Sequence, residues 1–204
     1  ERWQDSTLEE LLRSSDIFND GDWVESKDQD PNGEVRLVQL ADVGDGVFRN
    51  RSNRFLTKAK AVELGCTFLK SGDILVARMP DPLGRACIFP EIDRECVTVV
   101  DVCVIRATDR HFDHHWLMYT INATDVRSQI SGLQAGSTRK RISRKNLATI
   151  RLRVPPLAEQ ERIVAEVERR LSVVEELEAV VSANFQRGTR LRQSILQRAF
   201  SGKL

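Results

Sequence analysis

Five cations stand in the seven residues 139 to 145 of the stretch GSTRKRISRKN: Arg139, Lys140, Arg141, Arg144 and Lys145. Gly136, Ser137 and Thr138 lie just ahead of them. A Gly-Ser-Thr turn brings backbone amides and hydroxyls close to phosphate oxygens, while Arg and Lys supply charge and counterion release. That is chemistry for holding a polyanion, not for making bonds. From Arg127 to Ala158 there are eight basic residues and no Asp or Glu, whereas ordinary protein surfaces intersperse both signs. A solvated basic loop of no special use is the plain alternative.

Two further sets could read nucleic acid. Arg78 and Arg85 bracket the loop MPDPLG after a strand end, where two prolines would hold a rigid tip in a groove, and Arg to guanine is the commonest specific base contact. Ser26, Lys27 and Asn32 follow in the loop that begins GDWVESK. Trp23 of that loop reads at least as well as an apolar anchor as it does as a stacking surface.

Little in the sequence points to catalysis. A DNA methyltransferase needs a glycine-rich cofactor loop after an early strand and an Asn/Asp-Pro-Pro-aromatic tetrapeptide, and neither pattern occurs. Glu25 and Lys27 in ESK hint at a metal-dependent nuclease, but Asp20 and Asp22 stand too close upstream for the usual strand-separated acids. His111 and His115 would be one helical turn apart, yet an adequate set of metal ligands is not evident. The four cysteines, Cys66, Cys87, Cys96 and Cys103, lack paired spacing and read as buried thiols. No catalytic residue, metal or cofactor is therefore expected.

The net charge of +1 conceals a strong segregation of sign. Residues 1 to 50 carry 13 acidic and 5 basic side chains, and the sign then turns. No stretch approaches the roughly 18 uninterrupted apolar residues of a membrane span, and no basic-then-apolar leader opens the chain, so a cytoplasmic location is expected.

Short elements must position these residues. Ser6 and Glu9 fit a capping box for a helix over TLEELLR. Residues 17 to 33 read as a turn-rich loop. EVRLVQLADV reads as a strand, KAKAVELG as a helix closed by Gly65, and Ile74 to Ala77 as a buried strand delivering Arg78 to its far end. ECVTVVDVCVIRA, residues 95 to 107, reads as one long buried strand. Residues 112 to 130 look helical, ISRKNL a helical turn, and ATIRLRV a last strand with Ile150, Leu152 and Val154 on one face. The expected class is α+β, with a recognition domain over 1–154.

At PPLAEQERIV the chain changes character, and a second domain, 155–204, reads as one helix from Leu157 to about Ser201. Steps of three and four place Val164, Val167, Leu171, Val174, Val181, Phe185, Ile195 and Ala199 along one seam, interrupted by Glu178, Gly188 and Arg192. Such a seam asks for a second helix. Residues 159 to 178 hold seven acids and three bases, whereas 179 to 204 hold five bases and no acid. An antiparallel partner sets these halves against each other and aligns the helix dipoles favourably. A helix folded back on its own domain, broken at Gly188, is the alternative.

GDWVESKDQDPNGEVRLVQLADVGDGVF, GDILVARMPDPLGRA, the turn GSTRKRIS, the junction RLRVPPLAEQERIV and the ending RQSILQRAFSGKL together resemble the specificity subunit of type I restriction-modification systems. The resemblance covers nearly the whole chain. It implies a target-recognition domain that reads one half of a split site in double-stranded DNA, and a spacer helix that pairs antiparallel with a second one. It further implies partnership with DNA methyltransferase (modification) subunits and a restriction endonuclease subunit. The full-length family member has two such halves and this chain has one, so a half-subunit that dimerises or a piece of a longer chain is expected. A homodimer would read a palindromic interrupted site. An assembly scaffold that uses the helix without binding DNA is the rival, and base contacts do not follow from the resemblance.

Overall fold

The computed structural model describes residues 2–79, 82–109, 111–136 and 140–202. In chain order it forms β1 (Gln4–Thr7), α1 (Leu8–Leu11), β2 (Ile17–Asp20), β3 (Val35–Val38), β4 (Phe55–Leu56), α2 (Lys58–Glu63), β5 (Ile74–Ala77) and β6 (Ala86–Ile88). There follow β7 (Cys96–Thr98), β8 (Val102–Arg106), α3 (His114–Asn122), α4 (Thr124–Gly132), α5 (Arg144–Ala148), β9 (Arg151–Val154) and α6 (Leu157–Phe200). Two units partition the chain, Glu1–Gln160 and Glu161–Leu204. The α+β class expected from the sequence is observed.

Local chemistry explains the boundaries. Thr7, not Ser6, caps α1: its hydroxyl accepts from the Glu10 amide at 3.2 Å and the Glu10 carboxylate accepts from the Thr7 amide at 2.7 Å. The reciprocal pair thus sits one residue later than expected. α2 is capped by Thr57, and Gly65 follows it at φ +67°, where a side chain would be strained. The apparent single helix over 112 to 130 is two, because Ala123 leaves the helical region (φ −65°, ψ 148°) and serves as cap to both.

The strands form three sheets: β1-β9, the four-stranded β2-β8-β5-β6, and β4-β3-β7. Every pairing in the four-stranded sheet is antiparallel, and β3 pairs with β7 in parallel. The run ECVTVVDVCVIRA is therefore two strands of different sheets, separated at Val99–Asp101. Each half has its own apolar surroundings. Val97 packs with Val35, Leu37, Leu56 and Ala61, whereas Val102 and Val104 pack with Leu75, Ala77, Cys87 and Phe89. Both halves are buried, and Val99 and Val100 extend the apolar run into the corner, leaving Asp101 as its one polar residue. β2 lies where the sequence reads as loop. Its Ile17 and Phe18 pair with Arg106 and Ile105 of β8, and the polar Asn19 and Asp20 mask the strand pattern.

A buried carboxylate ties the loop after β3 to the strand. Asp42, fully buried, accepts from the Arg36 guanidinium at 3.0 Å and from the amides of Gln39, Arg51 and Ser52 at 2.8, 2.6 and 2.8 Å. All four cysteines are buried and free. Burial pushes the Cys87 and Cys103 thiols up to about 12.

α6 begins within the first unit. Gln160, 1% exposed, accepts from the Asp113 amide at 2.8 Å and donates to the Pro155 carbonyl at 2.8 Å. The helix continues through Gly188 without a break, and every residue from Glu168 to Gly202 is exposed. Its exposed apolar side chains exceed the expected seam. Besides Leu171, Val174, Val181, Phe185 and Ile195 they include Val173, Leu177, Val180, Leu191, Leu196 and Phe200. At 100° per residue these span an arc of roughly 200°, about twice the apolar stripe of a helix with one neighbour.

Candidate nucleic-acid interface

Antiparallel pairing brings four strand ends together. β2 finishes at Asp20 opposite Cys103, β8 begins at Val102 opposite Ala77, and β5 finishes at Ala77 beside the start of β6, where Ala86 faces Val76. The loops that follow Asp20 and Ala77, and the corner Val99–Asp101, therefore emerge at one end of the sheet. The basic turn joins them, because the Ile142 amide donates to the Arg78 carbonyl at 3.1 Å. Its base is closed by a reciprocal pair of backbone bonds between Ala135 and Arg141, at 2.9 and 3.0 Å.

The predicted cations fall into different classes. Ser137, Thr138 and Arg139 lie outside the described residues. Lys140 is exposed and has no ion pair or hydrogen bond among the described residues. Arg141 is half exposed, with Asp101 at 3.6 Å. Arg144 donates to the Phe18 carbonyl at 3.1 Å and stands 3.9 Å from Asp20.

Arg78 corrects an expectation. It does arrive at the end of β5, but its side chain is 2% exposed, donates to the carbonyls of Ile142 at 3.2 Å and Val100 at 2.5 Å, and pairs with Asp20 at 3.2 Å. A guanidinium committed to three internal acceptors cannot reach a base edge. Arg85 is half-buried, and burial lowers its affinity for the proton; Asp45 opposes this, while Arg49 and Arg127 add to it.

The GDWVESK loop is anchored at its start. The Asp22 amide donates to the Thr98 carbonyl at 2.8 Å, and the Asp22 carboxylate accepts from the Thr67 amide at 2.9 Å. Burial raises the Asp22 carboxyl pKa, with the Thr67 bond opposing that shift. Beyond the anchor, Trp23 is 70% exposed, so it does not serve as an apolar anchor. It lines a cleft of about 710 Å³ together with Glu25, Ser26, Gln39, Leu40 and Asp101. Ser26 and Asn32 are exposed, and Lys27 pairs with Glu25 at 2.6 Å.

The carboxylates near this end are occupied by internal partners: Asp20 by Arg78, Asp22 by Thr67, Glu25 by Lys27. Among the described residues no group of three or more His, Cys, Asp or Glu side chains could hold a metal ion. His111 precedes α3 and is not in helical register with His115. Its ring nitrogens face Asp109 at 2.6 Å and the Leu11 carbonyl at 2.8 Å.

One cation set went unnoticed in the sequence. Between Gly46 and Val62 stand Arg49, Arg51, Arg54, Lys58 and Lys60 with no acid among them. The same criterion that marks residues 127 to 158 marks this shorter run.

Comparison with known proteins agrees with this architecture. The family described as the type I restriction modification DNA specificity domain matches residues 1–178. The EcoBI specificity subunit of Escherichia coli is 24% identical over 214 residues, covering 100% of this chain and 42% of the relative. The EcoDI specificity subunit of the same species is 34% identical over 96 residues, covering 47% of this chain and 21% of the relative. Among solved structures, the HsdS subunit of Thermoanaerobacter tengcongensis superposes with a TM-score of 0.66 at 23% identity, covering 99% of this chain and 46% of that one. A chain from a study of type I R-M complex assembly and conformational transition gives 0.75 at 22% identity, again over 99% and 46%. The chain thus spans less than half the length of these relatives. On the family match along most of its residues, the chain belongs to the type I restriction modification DNA specificity domain family.

Proposed function

We propose that the globular unit reads one half of a bipartite DNA site and that α6 is a spacer that pairs antiparallel with a second such helix. The second helix comes from another copy or from the other half of a longer subunit. The carrying observation is the sheet end itself, where the turn bearing Lys140 and Arg141, the Trp23 cleft and the half-buried Arg85 emerge together. Three inter-strand spacings of about 4.8 Å put β2 and β6 on the order of 14 Å apart, comparable with the roughly 12 Å width of a B-DNA major groove. Ser137, Thr138, Lys140 and Arg141 are assigned to phosphates, with Arg139 the candidate for a base edge, Arg85 turned to the DNA backbone at the β6 side, and Ser26, Lys27 and Asn32 flanking. Arg78 sets the frame from inside.

The wide apolar arc of α6 exceeds what one partner helix covers, which supports further docking by methyltransferase subunits, with the endonuclease subunit joining the same complex. The matched relatives are specificity subunits, and the chemistry is assigned to those partners. Two copies related by a two-fold axis would read a palindromic interrupted site. No helix of the described residues is long and apolar enough to cross a membrane, and a cytoplasmic location is part of the proposal.

Fluorescence anisotropy of labelled duplex against salt tests it. Lys140→Gln should weaken binding to all sequences about equally and reduce the log-log salt slope by about 0.9, the value for one phosphate. A protein that binds no duplex at 50 mM salt is the assembly scaffold instead.

A further inference from the structure

Outside the basic turn, three arginines gather around one acid at the β6 edge of the sheet. The tight turn Val43–Phe48 presents Asp45 and is held against β6 by the Gly46 amide, which donates to the Ala86 carbonyl at 2.9 Å. Asn122, at the end of α3, clamps the same residue from the other side: its carbonyl accepts from the Ala86 amide at 3.0 Å and its amide donates to the Ala86 carbonyl at 2.8 Å. α4 starts two residues later and brings Arg127 to within 3.2 Å of Asp45. Arg85 is the neighbour of Ala86, and Arg49 follows the turn.

The packing around Arg49 is close. A Cβ added to Gly44 would fall 2.6 Å from Arg49 Nε and 2.8 Å from the Val47 carbonyl oxygen, so the guanidinium lies directly on the turn. Among the described residues Arg49 has no ion pair or hydrogen bond from its side chain. Arg85 Nε is buried without a hydrogen-bond partner, and the Arg127 terminal nitrogen that also lacks a hydrogen bond is the one that faces Asp45 as an ion pair at 3.2 Å. Arg85 lies among Asp45, Arg49 and Arg127, so three cations share one carboxylate, and an oxyanion completes such an excess of positive charge.

We propose that Arg49, Arg85 and Arg127 form a phosphate-oxyanion site, separate from the basic turn, whose occupant is a backbone phosphodiester of duplex DNA. This rests on the DNA-reading function above. Asp45 holds Arg127 in place while the site is empty and competes mildly with the incoming phosphate. Because the three cations arise from a turn, a strand start and a helix, the site fixes the orientation of the unit on the duplex without reading sequence.

Two arms distinguish the occupants. In the first, duplex affinity is measured against salt for wild type and the double variant Arg49→Gln/Arg85→Gln. The double variant should bind roughly tenfold more weakly, with a salt slope smaller by about one and an unchanged order of preference among sequences. Asp45→Asn, at an exposed position, should bind a few-fold more tightly. In the second arm, inorganic phosphate is titrated against chloride of equal ionic strength while the melting temperature is followed. Wild type should gain stability from phosphate and the double variant should not. If wild type binds no DNA yet keeps the phosphate response, the DNA function fails and the occupant is a free phosphate. DNA binding with an unaltered slope in the double variant, or with no change in Asp45→Asn, overturns the assignment to the duplex backbone. Absence of both responses in wild type overturns the site.

Discussion

Arg78 ends β5 with its guanidinium inside the fold, where it joins the carbonyls of Val100 and Ile142 to the carboxylate of Asp20. The sequence placed this residue correctly, at the far end of a buried strand, yet could not say which way its side chain turned. Direction depends on partners 22 and 64 residues away, and no local pattern encodes those. Arg78→Met should therefore cost about 3 kcal/mol, since it leaves two carbonyls without donors and a half-buried carboxylate with only Arg144 nearby. Urea denaturation would measure it. A base reader would show the reverse, full stability with an altered sequence preference. Arg78→Lys should recover little, because one ammonium cannot serve three acceptors arranged for a planar fork. Lys140 differs: the acid-free run around it was legible from composition alone, and its side chain is exposed. Arg49 was equally legible by that criterion. What the sequence hid was its convergence with Arg85 and Arg127, which needs the β6 edge to assemble first.

At the scale of elements, α2 announced itself through its glycine stop, the break at Ala123 between α3 and α4 has no capping side chain to mark it, and strands were legible only where burial matched one sheet. The corner Val99–Asp101 is the clearest failure, because Val99 and Val100 carry the apolar run out of one buried sheet and Asp101 is the single polar residue before the next. That corner also receives the start of the Trp23 loop. Gly21 donates to the Val102 carbonyl at 2.8 Å, and a Cβ there would fall 2.4 Å from the Val99 carbonyl oxygen and 2.8 Å from that of Thr98. Backbone atoms cannot yield as a flexible side-chain end can, so Gly21→Ala should push β2 from the corner at a cost of about 2 kcal/mol. Because the loop carrying Trp23, Ser26 and Lys27 springs from this contact, the variant should also lose Trp23's defined environment. Its fluorescence maximum against a Trp3→Phe/Trp116→Phe background is the readout. An unshifted denaturation midpoint would mean that the corner is not what seats the loop.

At the scale of the molecule, a helix with Leu177 60% exposed, Val181 67%, Phe185 79% and Phe200 88% carries far more uncovered apolar surface than a solitary surface helix does. Burial of such side chains stabilises by about 1.5–3 kcal/mol each, ample to drive association. Charge decides the direction. Glu175, Glu176 and Glu178 belong to the acidic half and Arg187, Arg190 and Arg192 to the basic half. In an antiparallel pair of copies these triplets face each other, so reversing the first to Lys should set cation against cation and raise the dissociation constant about tenfold at low salt. Reversing the second triplet to Glu as well should restore the affinity, since the halves are complementary again with their signs exchanged. A parallel pair behaves differently: each half meets its own copy, so one reversal exchanges one like-charge contact for another and the affinity barely moves. Sedimentation equilibrium of the three proteins at 50 mM and 500 mM salt separates the cases. The antiparallel spacer requires the loss and its recovery at the lower salt, with both muted at the higher as the charges are screened.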